Sequence, residues 1–288
     1  MIMKILQQYR AMAFVAGILS FASCAHEDTV GESQLDYTQT QKTTLDNWID
    51  ENYINPYNIN AQYRWNQNSV EIDRFLFPPK IDKVQPALEA AKKIWIDSYN
   101  TIGGFDFVKK VAPREIVLVG GINSNSNGTN TLGLAESGQK ITFFEVNNLD
   151  LKNRTKLLRF VGTVLHEYTH ILNQNKPFDE KAWQKITPGD YTASWNNYTE
   201  ANSRNLGFVS SYARSNVMED FAETASALLK NSKAEYAAIL AGITDTKGVE
   251  KLKQKEAIVV QYYKESFNID LYALRDEVSR NTTSVLTN

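Results

Sequence analysis

The sequence predicts an α+β fold with a small mixed sheet, one long buried helix and a helical C-terminal part. Three patterns predict it. Glu115-Ile116-Val117-Leu118-Val119 is a β-branched run closed by Gly120-Gly121, which reads as a strand. Leu157, Leu158, Val161, Val164, Leu165, Tyr168, Ile171 and Leu172 recur at helical spacing and form a face broad enough for a buried helix. Lys233 to Arg280 is helical again, in two or three segments, with Tyr262, Tyr263, Phe267, Leu271, Tyr272 and Leu274 as packing residues. Composition agrees with a packed domain. Of 288 residues 42% are apolar and 22% charged, unlike a disordered chain or a coiled coil. A formal net charge of −2 lacks the basic excess of a nucleic-acid binder. A single Cys excludes both an intramolecular disulfide framework and a Cys-rich zinc site.

The elements follow in chain order. Residues 1–23 read as a secretory signal peptide: Lys4 and Arg10 with no acid, then the apolar run Ala11 to Phe21, short of the ~20 residues that span a bilayer. Phe21-Ala22-Ser23-Cys24 resembles a bacterial lipobox, with Phe where Leu is usual. That resemblance implies a lipidated Cys24 as the mature N-terminus, so that only the lipid anchor meets a membrane. Polar residues 24–42, with the acidic pair Glu27-Asp28, read as a flexible tether. Residues 43–288 then read as a single domain, an α/β part leading into a helical part. Thr44-Leu45-Asp46-Asn47-Trp48-Ile49 starts a capped helix, Asn58 to Trp65 alternates loosely as a strand, and Phe77-Pro78-Pro79 is a break. Leu88, Ala91, Ile94, Trp95 and Tyr99 place a helix over 84–99, ending before Gly103-Gly104. Asn123 to Asn130 is a polar loop. Thr131 to Leu134 and Lys140 to Val146 are short strands, with Glu136-Ser137-Gly138-Gln139 as the turn. Lys176 to Phe208 contains Phe178, Trp183, Tyr191, Trp195 and Tyr198, expected as a small satellite core under a long loop rather than a cleft or lid.

The chemistry sits on the long helix, at His166-Glu167-Tyr168-Thr169-His170. Two His at i and i+4 lie one turn apart on one side, so both imidazoles can bind one Zn²⁺, and the carboxylate of Glu167 can reach a metal-bound water. The chain has only three His, and in this composition the HExxH frame arises by chance on the order of 0.002 times. Two core histidines on a helix are the competing reading. A catalytic zinc needs a third protein ligand and an open position. His26 and Cys24 lie on the tether, so the third ligand is a carboxylate: Asp179, Glu180, Asp190, Glu200, Glu219, Asp220 or Glu223. The last three sit on an expected helix from Asn216 to Leu229. Each has a structural alternative: a capping box from Asn216 to Glu219, a helix-dipole partner in Asp220, a solvated face in Glu223.

Tyr212-Ala213-Arg214-Ser215-Asn216-Val217-Met218-Glu219-Asp220-Phe221-Ala222-Glu223 resembles the second motif of lethal-factor-type gluzincins, in which a Tyr precedes by seven residues the Glu that opens an E-x-F-A-E segment. The resemblance implies Glu219 as the third zinc ligand and Tyr212 as an oxyanion donor. With the lipobox, Pro56-Tyr57-Asn58-Ile59 and Tyr63-Arg64-Trp65, the motifs resemble the substrate import-associated zinc metallohydrolase lipoproteins, a zinc-binding metallopeptidase family, across nearly the whole mature chain. This implies a zincin-like fold, an outer-membrane lipoprotein at the cell surface, a peptide or glycopeptide substrate, and a TonB-dependent import complex as partner. In the expected mechanism His166, His170 and Glu219 hold Zn²⁺ and Glu167 is the general base. Glu223 either orients a ligand His through its ring N–H or is a plain surface carboxylate. Lys140 to Val146 is the expected edge strand that pairs with substrate, with a core strand as its alternative. Two other classes stay open: a non-catalytic lipoprotein that binds peptide or glycan, which the intact Glu167 argues against, and a zinc amidase or deacetylase acting on glycoconjugates.

Overall fold

Thr43 caps the first helix, α1 (Thr44–Ile49), by a reciprocal capping box with Asp46, whose carboxylate also pairs with Arg64 at 2.7 Å and accepts from the Tyr63 hydroxyl. This computed structural model describes residues 41–70, 74–136 and 139–287. The signal peptide, Cys24 and all but the last two residues of the tether lie outside the described residues, as do Ser137 and Gly138 of the expected turn. Thr43–Asn288 forms one unit by itself.

A π turn (Asp50–Ile54) carries α1 into the short helical turn α2 (Asn55–Tyr57), which Asn58 ends in the left-handed region at φ 55°. That turn shortens the expected strand to β1 (Asn60–Gln62). The next helix is longer than expected: α3 (Ile81–Ala91) passes through a π turn into α4 (Asp97–Gly103), burying Leu88, Ile94, Trp95 and Tyr99. After α5 (Phe107–Lys110) comes β2 (Glu115–Leu118). The polar loop contains a minimal antiparallel pair, β3 (Asn123–Ser124) and β4 (Asn130–Thr131). Then follow β5 (Gly133–Glu136) and β6 (Lys140–Phe143).

The sheet order is β1-β2-β6-β5. β1, β2 and β6 are parallel, with Ile116 opposite Ile141, and β5 returns antiparallel with Leu134 opposite Thr142. This corrects one expectation. Lys140–Phe143 is a core strand with neighbours on both sides, and its hairpin partner β5 is the edge. Alternation along β2 serves two faces. Ile116, Leu118, Ile141 and Phe143 enter the main core, while Val117, Val119 and Phe144 pack under Val70, Leu76 and Leu134.

The long helix α6 (Arg154–Asn175) is capped by the Asn153 side chain on the Lys156 N–H. It buries Leu157, Val161, Leu165, Tyr168 and Leu172, and the Tyr168 ring lies 4.9 Å from both Trp95 and Tyr99. Beyond it run α7 (Glu180–Gln184), α8 (Glu200–Asn205), α9 (Val217–Lys230), α10 (Lys233–Ala241), α11 (Thr246–Phe267) and α12 (Leu271–Thr287). Tyr262, Tyr263, Leu271 and Leu274 pack as expected, but Tyr272 is 40% exposed and donates to Glu256. Phe178, Trp183 and Phe208 join the main core instead of a satellite, with Phe178 stacked on Phe221 at 4.0 Å. Among the described residues no helix is long and apolar enough to cross a membrane.

Candidate active site

His166 and His170 project from one side of α6, with their Nε2 atoms 3.1 Å apart. Helix α9 brings Glu219 across from them: its Oε2 lies 2.9 Å from His166 Nε2 and 3.3 Å from His170 Nε2. Local chemistry explains why Glu219 is available. Asn216 caps α9 by accepting from the N–H groups of Met218 and Glu219, yet the Glu219 carboxylate does not turn back to complete a capping box and faces the two imidazoles instead. The three atoms are a metal-ligand constellation, one from each residue. Ligands at ~2.0–2.2 Å from a tetrahedral zinc lie about 3.3 Å apart, and two imidazole nitrogens with one carboxylate oxygen are a zinc donor set. Two ring nitrogens and a carboxylate facing one another in a half-closed site are a cluster of lone pairs that a cation satisfies. The residues present therefore fit zinc.

Burial alone would raise the Glu219 pKa, but hydrogen bonds from His166 and His170 outweigh it and hold the carboxyl well below its usual range. One turn on, Glu223 Oε1 lies 2.9 Å from His166 Nδ1, at an angle short of a well-formed hydrogen bond, and its Oε2 accepts from Ser210 at 2.6 Å. Here too burial is opposed and outweighed by the His166 contact, and the carboxyl sits at about 2. Glu223 is thus a partner of a candidate ligand and not a solvated helix face. Asp220 differs from expectation as well. It is fully buried, 2.6 Å from Lys255 Nζ, and accepts from Trp183 Nε1 and the Tyr191 hydroxyl, so it belongs to the core and not to the helix dipole. The remaining candidates stand apart. Asp179 caps α7, Asp190 pairs with Lys251, Glu200 binds Arg204 and Ser211, and Glu180 is exposed.

Glu167 is 5% exposed, and burial pushes its pKa up. The edge strand β5 passes directly over it, and the backbone of Ala135 beside its carboxylate favours the charged form against burial. A methyl group on Gly133 would sit 2.6 Å from Glu167 Oε1 and 2.6 Å from Thr163 Cγ2, so any side chain here pushes on the Glu167 carboxylate. Gly133 is a site residue that no motif marked; its signal is a glycine inside a strand pattern. Tyr212 stands on a 3₁₀ turn (Tyr212–Arg214), 37% exposed, with its ring 6.1 Å from His166 and 4.9 Å from Trp195. Burial, joined by the Glu219 carboxylate, raises its hydroxyl well above the usual tyrosine value, so it stays a donor. All these groups open into one cavity of about 770 Å³ between α6, α9 and β5.

Residues 38–272 match the family described as "Putative zinc-binding metallo-peptidase". A solved structure is similar to this chain: a crystal structure of a "putative zinc-binding metallo-peptidase" from Bacteroides caccae ATCC 43185, 34% identical, with a TM-score of 0.70, covering 86% of this chain and 97% of that one. No curated protein matches the chain. The family match spans most of the sequence, including both motif helices, and the donor set found there suits the metal in the family's description. The chain belongs to this zinc-binding metallo-peptidase family, and its cofactor is zinc.

Proposed function

We propose that the chain is a gluzincin-type zinc peptidase, anchored through Cys24 as an outer-membrane lipoprotein at the cell surface and working beside a TonB-dependent import complex. One observation carries the catalytic reading: His166, His170 and Glu219 converge at 2.9–3.3 Å in the cavity that Glu167 and Tyr212 also line. When bound there, zinc supplies a Lewis acid and a water acidified toward neutrality. Glu167 accepts the proton of the attacking water and delivers it to the leaving amine. The Tyr212 hydroxyl donates to the developing oxyanion, a type of contact worth about 2.7–4 kcal/mol. Glu223, 2.9 Å from His166 Nδ1, would orient the ring once zinc is bound and leave Nε2 as the ligand atom. A substrate strand pairs with the free edge of β5, beside Glu167.

Elemental analysis tests the ligand set. The wild-type domain from Thr43 is expected to hold close to one zinc per chain. Glu219→Ala is expected to weaken binding by more than the ~10–100-fold lost with outer-sphere partners. Tight zinc in the mutant rejects Glu219 as a ligand.

Gly133→Ala probes the base separately. The added methyl displaces the Glu167 carboxylate without touching the metal cluster, and a shift near 1 Å costs roughly 10²-fold in turnover. Zinc content is expected to hold while hydrolysis falls; unchanged turnover removes β5 as the support of Glu167.

The anchor rests on Cys24 and the apolar run before it. Cys24→Ala is expected to move the chain from the outer-membrane fraction to a soluble, folded form. A wild-type chain recovered soluble with a free thiol defeats the anchoring.

A further inference from the structure

The cavity has two electrostatically different ends. Glu167, Glu219 and Glu223 crowd the end at the two histidines, and Arg159 and Lys230 line the other. Helix geometry separates the ends. Arg159 precedes His166 by seven residues on α6, about 10 Å along the helix, and the Lys230 ammonium lies over Gly162, four residues or about 6 Å before His166. The two helices are held side by side at the basic end, where the Ser226 hydroxyl donates to the Gly162 carbonyl at 2.8 Å.

Gly162 gives Lys230 its position. A Cβ on Gly162 would lie 2.9 Å from Lys230 Cδ and 3.1 Å from its Nζ, so the lysine stem rests flat across the glycine with the ammonium at the cleft. Lys230 is half-buried, and among the described residues it makes no hydrogen bond or ion pair; its charge is felt at Glu223. A half-desolvated ammonium without a partner is unfavourable, and an incoming carboxylate removes that deficit. Arg159 commits one Nη2 to Glu145 at 3.0 Å and is half exposed, which leaves most of its five N–H donors free. Past Arg159 a second cavity of about 300 Å³ continues the cleft over Phe144, Leu149 and Phe160. Glu145, the acid lining that extension, is the one already paired with Arg159.

We propose that Arg159 and Lys230 form a carboxylate-binding subsite, and that the substrates are peptides with an acidic group about two to three residues from the scissile bond. The spacing follows from ~6–10 Å of cleft between the histidines and the two cations and ~3.3 Å per residue of an extended strand. The inference rests on the peptidase reading above and deepens it. The carboxylate comes from an Asp or Glu side chain or from the peptide's own C-terminus.

The test uses the zinc-loaded mature chain, its Lys230→Met and Arg159→Gln variants, and Glu167→Gln for binding without turnover. The probe is a peptide library in which Asp and Glu are matched with Asn and Gln, each as free acid and as C-terminal amide. Wild type is expected to prefer acidic peptides by roughly tenfold in kcat/KM, the effect of one charged hydrogen bond, with the preference shrinking in high salt. Lys230→Met is expected to lose it, and Arg159→Gln to reduce it. Preference for free acids over amides assigns the C-terminal source; preference that survives amidation assigns the side chain. Cleavage without acidic preference, or a preference that both variants keep at the wild-type level, overturns the subsite and leaves the peptidase reading standing. If no peptide is cleaved, the peptidase reading fails, and binding decides the subsite. Acidic peptides held more tightly than their amides by Glu167→Gln, and not by Glu167→Gln/Lys230→Met, support it. Equal binding, or none, overturns it.

Discussion

Glu167→Gln is expected to keep the zinc and the fold while hydrolysis drops by about 10²–10⁴-fold or more, the usual cost of losing a general base. The substitution preserves size in a site where Glu167 is 5% exposed and tight against Gly133. Glu167 lies outside the group formed by His166, His170 and Glu219, so metal content is expected to stay near one per chain. What disappears is basicity, which only the chemical step needs. Zinc analysis, thermal melting and turnover on a cleaved library peptide separate these quantities. A mutant that turns over like wild type removes Glu167 from the mechanism. A wild type that cleaves nothing, yet binds peptides as Glu167→Gln does, is a binding lipoprotein.

The first half of this site was open to reading because histidine is scarce and helical spacing is a local property. His166 and His170 at i and i+4 must share a side of any helix that forms. The helix itself follows from eight apolar residues on one face. The second half was harder. Glu219, Asp220 and Glu223 lie within five positions on one helix, and composition does not rank them. They part company through rotation: Glu219 and Glu223 face the imidazoles of α6, and Asp220 points into the core toward Trp183 and Lys255. Those partners stand 37 residues before it and 35 after it in sequence, so nothing local marks them. Only the resemblance of the Tyr212 to Glu223 segment singled out Glu219.

The sheet divides in the same way. Ser137-Gly138 in the sequence predicts a hairpin between two short strands, which is local information. Which strand of the hairpin lies outside depends on the parallel pairing of β2 with β6, a non-local contact, and that reversed the expected edge. The aromatic stretch was misplaced for a related reason. Phe178 and Trp183 pack on Phe221, which α9 supplies from far along the chain, so they extend the main core. Trp195 instead stands against Tyr212 at the cavity.

Lys255→Met is expected to cost about 3–5 kcal/mol of stability, the penalty for stripping one partner from a buried ion pair. In a domain of this size that lowers the melting temperature by roughly 10 °C. Lys255 and Asp220 are both fully buried, and the Lys255 Nζ lies 2.6 Å from Asp220 Oδ2. Burial pushes the lysine down and the aspartate up, and their mutual attraction opposes both shifts. The ammonium also donates to the Gly207 carbonyl at 2.8 Å and stands 4.0 Å over the Phe208 ring. Methionine fills most of the stem's volume, so packing is nearly kept and the loss is electrostatic. It leaves Asp220 with only the Trp183 and Tyr191 donors in a site closed to water. The companion change Asp220→Asn distinguishes the causes. The pair Lys255→Met/Asp220→Asn carries no buried charge, while the amide oxygen still accepts from the indole and the phenol. It is expected to recover most of the loss. A double mutant as unstable as Lys255→Met alone would show that stem packing against Phe208, and not charge pairing, holds α11 to α9.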